Sequence, residues 1–354
     1  MFLRHSLRSL AVVFLLVALV SVLYTPAIAQ VAGQVPGDSL GATSDSEFWR
    51  GIRQGNAGQV SIPNAQAGIL IQSEGDNWRA VRNGPLSAYG AVALLGMVIV
   101  VALFFAARGR IRVEAGLSNL TIERFSGIER FAHWLMAGSF IVLALTGLNL
   151  LYGRYLLIPV LGPEVFAAIT ELGKYTHNYL GFAFMVGLAL SFVLWVVHNI
   201  PNRHDAVWLL RGGVLIWGGH PPAKKFNAGQ KILFWLVMLG GLSVSLSGIA
   251  LIFPFQTSFF ADTFALLNGF GLPLPTQITP MEEQQLNQVW HTAMSLVLVV
   301  IIIAHIYIGS VGMEGAFDAM GNGEVDLNWA KEHHPLWVEE IEEKEAAQRH
   351  SPAE

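Results

Sequence analysis

Five stretches of the chain are about 20 residues long and contain no Asp, Glu, Lys or Arg. They cover residues 88–107, 131–151, 175–197, 232–253 and 289–312. An α-helix needs about 20 apolar residues to cross a bilayer. The composition agrees, because 53% of the 354 residues are hydrophobic and only 13% are charged, whereas soluble domains carry roughly a quarter charged residues. The sequence therefore predicts an all-α integral membrane helix bundle and excludes a soluble enzyme.

Charge and cysteine content exclude further classes of function. The formal net charge is −4 and the sequence pI is about 6.3, so the chain offers no basic face for nucleic acid. Cysteine is absent. This excludes disulfides, cysteine-ligated iron–sulfur clusters, covalently attached c-type haem and thiol nucleophiles within the chain. We expect any redox centre here to be bound by histidine or another non-thiol ligand.

The first 108 residues predict an exported region followed by an extra membrane helix. Residues 1–29 have a basic start, an apolar run and the small-x-small pattern Ala27-Ile28-Ala29, which is typical of a secretory signal peptide. The alternative is an uncleaved membrane helix, for which the apolar run is short. Residues 30–85 are rich in Gly, Ser, Asn, Gln and Pro, and we expect an exported segment ordered loosely or by a partner. The extra transmembrane helix then covers residues 86–108.

The loops between the spans predict the orientation of the chain. Segments 108–130 and 199–231 each carry five Lys or Arg residues, whereas 152–174 carries two and 254–288 carries none. Short cytoplasmic loops hold an excess of these cations. We therefore expect the two cationic loops, including the linker 109–130, and the polar tail 313–354 to lie in the cytoplasm.

Four histidines lie within the predicted spans: His133 in the second, His177 in the third, and both His291 and His305 in the fifth. A polar side chain at such depth is costly unless it is partnered, and it often marks a functional site. Fourteen residues separate His291 from His305, which places both on one side of a helix about 21 Å apart. Depth then pairs His177 with His291 near the outer face, and His133 with His305 near the inner face.

Two histidine pairs at opposite depths match the requirement of two b-type haems. Neutral imidazoles bind each iron from opposite sides, and the porphyrin fills the space between helices. Small residues near the ligands would leave room for the macrocycle, namely Gly138, Gly147, Gly181 and Gly187. The alternative is that these histidines are structural or bind another metal.

The remaining histidines of the core and the tail include one further candidate ligand. His198 follows His177 by 21 residues and is a second candidate partner for His305, and spacing does not decide between His198 and His133. Four histidines of the inner loops and tail are expected to be solvated: His204, His220, His333 and His334. We also expect the acidic run 339–345 to be a solvated helix.

The loop before the fourth core helix suggests a quinone site. Asn227, Gly229 and Gln230 offer neutral hydrogen-bonding groups of the kind that would hold a quinone carbonyl at the membrane surface. The alternative is that Asn227 is simply the N-cap of the helix that follows.

Six local patterns occur together between residues 122 and 343. They are Glu129-Arg130-Phe131-Ala132-His133-Trp134, Lys174-Tyr175-Thr176-His177, His198-Asn199-Ile200-Pro201, Phe226-Asn227-Ala228-Gly229-Gln230-Lys231, the His291 and His305 spacing, and Trp329-Ala330-Lys331-Glu332-His333-His334-Pro335. Together they resemble the cytochrome b (gamma) subunit of membrane-bound respiratory formate dehydrogenase. The short form of that family begins near residue 122, so the signal, the exported segment and the extra helix depart from it.

The resemblance implies a four-helix dihaem cytochrome b core at residues 131–312, in the bacterial inner membrane. It implies that four histidines bind two haem b groups, with His133 chosen over His198: His133, His177, His291 and His305. It also implies that Asn227, Gly229 and Gln230 form a pocket near the inner haem for a quinone, either menaquinone or ubiquinone.

The implied partners are an iron–sulfur (beta) subunit and a catalytic (alpha) subunit containing molybdenum or tungsten. Electrons from formate oxidation on the partner would pass through both haems to quinone at the cytoplasmic side, as in anaerobic respiration. The nearest alternative is the b-type cytochrome subunit of a nickel–iron hydrogenase or related oxidoreductase. An alternative of another class is a non-haem membrane anchor or transporter with structural histidines.

Overall fold

The computed structural model describes residues 58–59, 69–70, 75–213 and 220–350. The predicted signal peptide at 1–29 lies outside the described residues. The chain divides into two units, Met1–Arg79 and Ala80–Glu354. The first unit contains an antiparallel pair of short strands, β1 (Gly58–Gln59) and β2 (Ile69–Leu70), and the start of helix α1 (Gly75–Val81). The rest of the description concerns the second unit.

Five helices of the described residues are long and apolar enough to cross a membrane, as the sequence predicts. They are α2 (Ser87–Arg108), α3 (Gly127–Leu156), α4 (Ile158–Trp195), α6 (Ala228–Ile252) and α8 (Pro280–Tyr307). A π-helical turn at Arg82–Leu86 joins α1 to α2, and a second π-helical turn continues α8 to Gly312. Among the described residues, two shorter helices lie between the long helices, α5 (Arg203–Leu210) and α7 (Phe259–Asn268). The predicted all-α membrane bundle is confirmed.

Helix α4 extends well beyond the apolar run that predicts it. It begins at Ile158 rather than near 175, and its backbone bends at Gly162, where φ is 77° and Pro163 follows. The turns before His177 contain charged residues such as Glu171 and Lys174. Charge ends an apolar run without ending a helix, so the hydropathy pattern placed the start of the helix too late.

The membrane helices pack in a defined order. Helix α3 packs along α4, while α8 packs against both α6 and α2, and α4 also contacts α6. At the α3–α4 contact, a Cβ on Gly187 would lie 2.7 Å from the backbone nitrogen of Met136. Only glycine permits this close approach of two helix backbones. Gly187 therefore sets helix packing instead of leaving room for a macrocycle as predicted.

One end of the bundle carries a polar cap, formed by residues 109–126, the described part of 197–227, and 313–350. Strand β3 (Thr121–Glu123) pairs antiparallel with β4 (Glu324–Asp326) in this cap, with Ile122 opposite Val325. Its helical elements are a 3-10 turn at Val197–Asn199, α5, and three helices of the tail, α9 (Asp318–Gly321), α10 (Leu327–His333) and α11 (Pro335–His350).

The tail is more than a solvated extension. Trp329 and Trp337 are 3% and 7% exposed and pack with Phe125 in one buried cluster. The guanidinium of Arg124 lies 5.2 Å from the Trp329 ring and 5.1 Å from the Trp337 ring, in cation–π contact with both. Burial lowers the pKa of Arg124 to about 9. The tail is thus anchored to the segment that precedes α3.

Candidate haem sites

The structure brings the four intramembrane histidines together in two pairs. The imidazole of His177 on α4 faces that of His291 on α8, with ring centroids 6.2 Å apart. The imidazole of His133 on α3 faces that of His305 on α8, with centroids 6.3 Å apart. These are the pairs that helix depth predicts. Since α8 is a continuous helix between its two histidines, the pairs are separated by about 21 Å along it.

The ring separations fit two imidazoles bound to one metal. An imidazole nitrogen binds a first-row metal at about 2.0–2.1 Å, and the ring centroid lies about 1.1 Å behind it, so two opposed imidazoles have centroids about 6.3 Å apart. Both observed separations agree with this value. Side chains placed in this way can hold a group with a metal at its centre between the two rings.

A hydroxyl group fixes the orientation of the His177 ring. Thr146 Oγ1 lies 2.8 Å from the carbonyl oxygen of Val142 and 3.0 Å from that of Leu143, so it donates its one proton to its own helix. Thr146 Oγ1 is also 2.9 Å from His177 Nδ1. Because the hydroxyl proton is already used, Nδ1 donates to Oγ1, and the lone pair of the imidazole is on Nε2.

The hydroxyl group of Ser247 fixes the orientation of the His291 ring in the same way. Its Oγ lies 3.0 Å from the carbonyl oxygen of Ser243 and 3.0 Å from His291 Nδ1. The hydroxyl donates to the carbonyl and accepts from Nδ1, which again leaves the lone pair on Nε2. In both members of the His177–His291 pair, Nε2 is therefore left available for a metal. No sequence pattern indicates Thr146 or Ser247 as partners of these histidines.

A cavity of about 390 Å³ surrounds the His177–His291 pair. Its walls are mostly apolar and include Gly147, Gly181 and Gly248, while Arg82 and Lys174 also line it. Gly147 lies beside the His177 ring and Gly248 beside the His291 ring. An apolar cavity that contains a few cations and two opposed imidazoles suits a flat ligand that carries carboxylates.

The His133–His305 pair has different neighbours. The rings of Trp134 and Trp195 lie 5.1 Å and 6.5 Å from the His133 ring. Among the described residues, His133 Nδ1 is buried with no hydrogen-bond partner. His198, the other sequence candidate, packs instead beside Phe226 with ring centroids 6.5 Å apart. The structure thus places His133, and not His198, opposite His305.

The predicted quinone residues form the start of α6. Asn227 Oδ1 accepts a hydrogen bond from the backbone N–H of Gln230 at 3.0 Å, and Gln230 Oε1 accepts from the backbone N–H of Asn227 at 3.0 Å. This reciprocal capping box is the alternative that the sequence left open. The side-chain NH₂ groups of both residues take no part in it. A Cβ on Gly229 would lie 3.1 Å from the indole of Trp208.

Aromatic contacts connect this loop to the nearer histidine pair. The Phe226 ring lies 6.0 Å from the Trp195 ring, which in turn lies 6.5 Å from the ring of His133. Lys225 Nζ is 2.7 Å from Glu129 Oε1, which also accepts from Trp195 Nε1 at 3.0 Å. The segment that contains Asn227 is therefore fixed directly to the helix that carries His133.

Two tail histidines are buried, which corrects the prediction that they are solvated. His333 is 4% exposed and His334 is 1% exposed. His334 Nδ1 donates to the carbonyl oxygen of Lys224 at 2.7 Å, and its Nε2 accepts from Arg124 Nη2 at 3.0 Å. Burial and the nearby charge of Arg124 hold the pKa of His334 well below its usual value. His334 is thus a neutral link between the tail and the loop before α6.

Comparison with known proteins extends these observations. A family model described as prokaryotic cytochrome b561 matches residues 124–323, more than half of the chain. The chain is 29% identical over 228 residues to the cytochrome b556(Fdn) subunit of nitrate-inducible formate dehydrogenase from Escherichia coli (strain K12), covering 64% of this chain and 94% of that protein.

Two further relatives have similar names. The chain is 27% identical over 224 residues to the formate dehydrogenase cytochrome b556(fdo) subunit of Escherichia coli (strain K12), covering 62% of this chain and 93% of the relative. It is 26% identical over 231 residues to the formate dehydrogenase cytochrome b556 subunit of Haemophilus influenzae, covering 63% and 85%. The family match includes all four paired histidines, and this chain belongs to the prokaryotic cytochrome b561 family.

Proposed function

We propose that this chain is the cytochrome b subunit of a formate dehydrogenase in the bacterial inner membrane. In this proposal it carries electrons from an iron–sulfur subunit at the outer face, through two b haems, to menaquinone or ubiquinone at the cytoplasmic face. Formate oxidation itself takes place on a molybdenum- or tungsten-containing partner. The relatives named as formate dehydrogenase cytochrome subunits support this proposal, since the alignment covers 85% to 94% of their length.

The observation that carries the proposal is the presence of two opposed imidazole pairs on one bundle. Their ring separations of 6.2 Å and 6.3 Å suit one metal each, and both pairs share α8 at different depths. A non-haem anchor needs neither the repeated separation nor the large cavity around His177 and His291. A b-type haem, when bound, supplies a reversible one-electron carrier at each pair.

The residues around the His177–His291 pair have different roles in haem binding in this proposal. Thr146 and Ser247 hold His177 and His291 with Nε2 free, and the apolar cavity wall excludes water. Arg82 and Lys174 line the same cavity, and their charges complement the two carboxylates that a b-type haem carries. Arg82 lies in the π-helical turn before α2 and precedes the matched family region, so this role gives the N-terminal extension a part in the proposed haem site.

The quinone site is proposed at the start of α6. The capping box uses the side-chain oxygens of Asn227 and Gln230, and their NH₂ groups can donate to a quinone carbonyl. Gly229 lies between them in sequence and packs against the indole of Trp208, which becomes part of the proposed pocket wall. The aromatic contacts through Phe226 and Trp195 support a position near the His133–His305 pair.

A spectrum of the intact complex tests the proposed function. The complex is purified in detergent, and formate or hydrogen is added anaerobically while reduced-minus-oxidised visible spectra are recorded. We expect formate to produce the b-type bands and added quinone to remove them. Reduction by hydrogen alone would favour the hydrogenase alternative, and the absence of b-type bands would favour a non-haem anchor.

The hydroxyl partners of the outer pair yield a separate prediction. Replacing Thr146 with Val, or Ser247 with Ala, removes the acceptor for one Nδ1–H, which makes that imidazole a weaker donor to iron. We expect haem affinity at this pair to fall about 10- to 100-fold and its midpoint potential to rise. Equilibrium haem loss and spectroelectrochemical titration measure the two effects.

Matched variants separate this effect from general helix damage. Thr176→Val is the control, because Thr176 Oγ1 donates to the Leu172 carbonyl in the turn before His177 and has no ring contact. Thr146→Ser restores the hydroxyl and should restore the wild-type potential. The prediction is wrong if Thr146→Val and Thr176→Val shift haem affinity equally.

A further inference from the structure

A second group of possible metal ligands lies in the polar cap, on segments that are distant in sequence. Ligand atoms of His220, Glu332 and His333 lie within 4.8 Å of one another. His220 Nε2 is 3.5 Å from Glu332 Oε1, and His333 Nε2 is 3.8 Å from the same oxygen. A second carboxylate approaches as well, since Glu114 Oε1 lies 3.2 Å from His220 Nε2.

Several polar atoms of His220, Glu332 and His333 are buried without a hydrogen-bond partner. Among the described residues, both ring nitrogens of His220, both ring nitrogens of His333 and the Oε1 of Glu332 are buried and unpartnered. His333 is only 4% exposed. Buried polar atoms in native proteins are nearly always satisfied by a partner. One nitrogen of each imidazole and the Oε1 of Glu332 can face a single additional group, and their chemistry says which kind.

The donor atoms and their spacing fit a first-row divalent cation. Zinc binds histidine nitrogen at about 2.0–2.1 Å and carboxylate oxygen at about 2.0–2.2 Å, so neighbouring ligands of a tetrahedral site lie about 3.3–3.6 Å apart. The observed separations of 3.2, 3.5 and 3.8 Å are close to this range. We propose that His220, Glu332 and His333 bind a zinc ion in the polar cap, with Glu114 as the fourth ligand.

Neighbouring contacts orient the carboxylate ligand. Glu332 Oε2 accepts a hydrogen bond from the backbone N–H of Glu114 at 2.8 Å, which turns Oε1 toward the two imidazoles. The side chain of Glu114 is 71% exposed, so the site opens to solvent on that side. The cation can therefore enter from the aqueous phase without opening the bundle.

The proposed ion would join three parts of the cap. Glu114 precedes β3, His220 lies in the loop before α6, and Glu332 and His333 end α10. The same loop continues through Lys224, whose carbonyl binds His334, to the segment that begins α6. A metal that links these parts stabilises the folded cap, because the ligands come together only on folding.

Metal analysis of the full chain, purified with its haem, tests the site. Zinc and iron are counted per chain by mass spectrometry after treatment with a mild chelator and readdition of Zn²⁺. We expect one zinc per wild-type chain, loss of that zinc in His220→Ala and Glu332→Gln, and unchanged iron in both. X-ray absorption at the zinc edge should show two imidazole ligands. Iron counts report folding, so a variant that misfolds is recognised directly.

His204→Ala is the matched control, since His204 lies on α5 in the same cap and outside the cluster. It should keep both zinc and iron. Wild-type protein that binds no zinc after readdition would overturn the proposal. Equal zinc in wild type and His220→Ala, with normal iron, would also overturn it, because the metal would then be bound elsewhere.

Discussion

Replacing His177 or His291 with alanine is expected to remove one of the two proposed haems and leave the other in place. In the proposed arrangement each iron would take one ligand from each member of a pair, and the His133–His305 pair lies about 21 Å away along α8. Removing a ligand from one pair therefore leaves the geometry of the other pair unchanged. We expect iron and haem per chain to fall from two to one, as measured by metal analysis and by the pyridine haemochrome.

The reciprocal variants complete this test. His133→Ala or His305→Ala should remove the other haem, so the two sets of variants should retain haems with different spectra and midpoint potentials. His198→Ala is the control and should keep both haems, because His198 packs beside Phe226. Equal loss of both haems in His177→Ala would contradict the pairing. Loss of one haem in His198→Ala would show that His198 is the ligand.

Sequence periodicity and loop charges together predicted which histidines meet, while the choice of His133 over His198 came from the family resemblance. His291 and His305 lie on one helix, where a fixed rise and turn per residue determine their relative position. The loop charges then gave the direction of each helix, and direction gave the depth of His133 and His177. The rings meet in the structure as this reasoning predicts.

The hydroxyl partners of the histidines were not predictable in the same way. Thr146 lies on α3 and binds a histidine of α4, while Ser247 lies on α6 and binds a histidine of α8. Each contact depends on the rotation of one helix about its axis relative to its neighbour. That rotation results from side-chain packing across the interface, such as the approach of Gly187 to Met136, and has no periodic signal.

The burial of the tail histidines is not visible in hydropathy, because the average composition of the tail is polar. His334 is buried by contacts with Arg124, which is 210 residues away in sequence, and with the Lys224 carbonyl. Trp329 and Trp337 were the local signal of packing, since tryptophan is highly buried on average. Hydropathy averages over the acidic residues that follow and conceals this signal.

Changing Asn227 to Ser is expected to slow quinone reduction while helix α6 stays capped. Serine is as good an N-cap as asparagine, so the hydrogen bond to the Gln230 N–H is retained. The substitution removes the side-chain NH₂ that would donate to the quinone. One lost hydrogen bond of about 1.4 kcal/mol corresponds to a tenfold slower reaction. Stopped-flow reoxidation of the formate-reduced complex by a water-soluble quinone measures this rate.

Two comparisons decide between a ligand role and a capping role for Asn227. Asn227→Ala removes both functions and should lower the stability of the fold by about 1 kcal/mol in addition to slowing the reaction. Asn202→Ser changes a second asparagine N-cap in the same polar cap, which forms an equivalent capping box with Asp205, and it should leave the rate unchanged. If Asn227→Ser reoxidises at the wild-type rate with normal haem content, Asn227 is only a helix cap, and its proposed role in binding quinone is wrong.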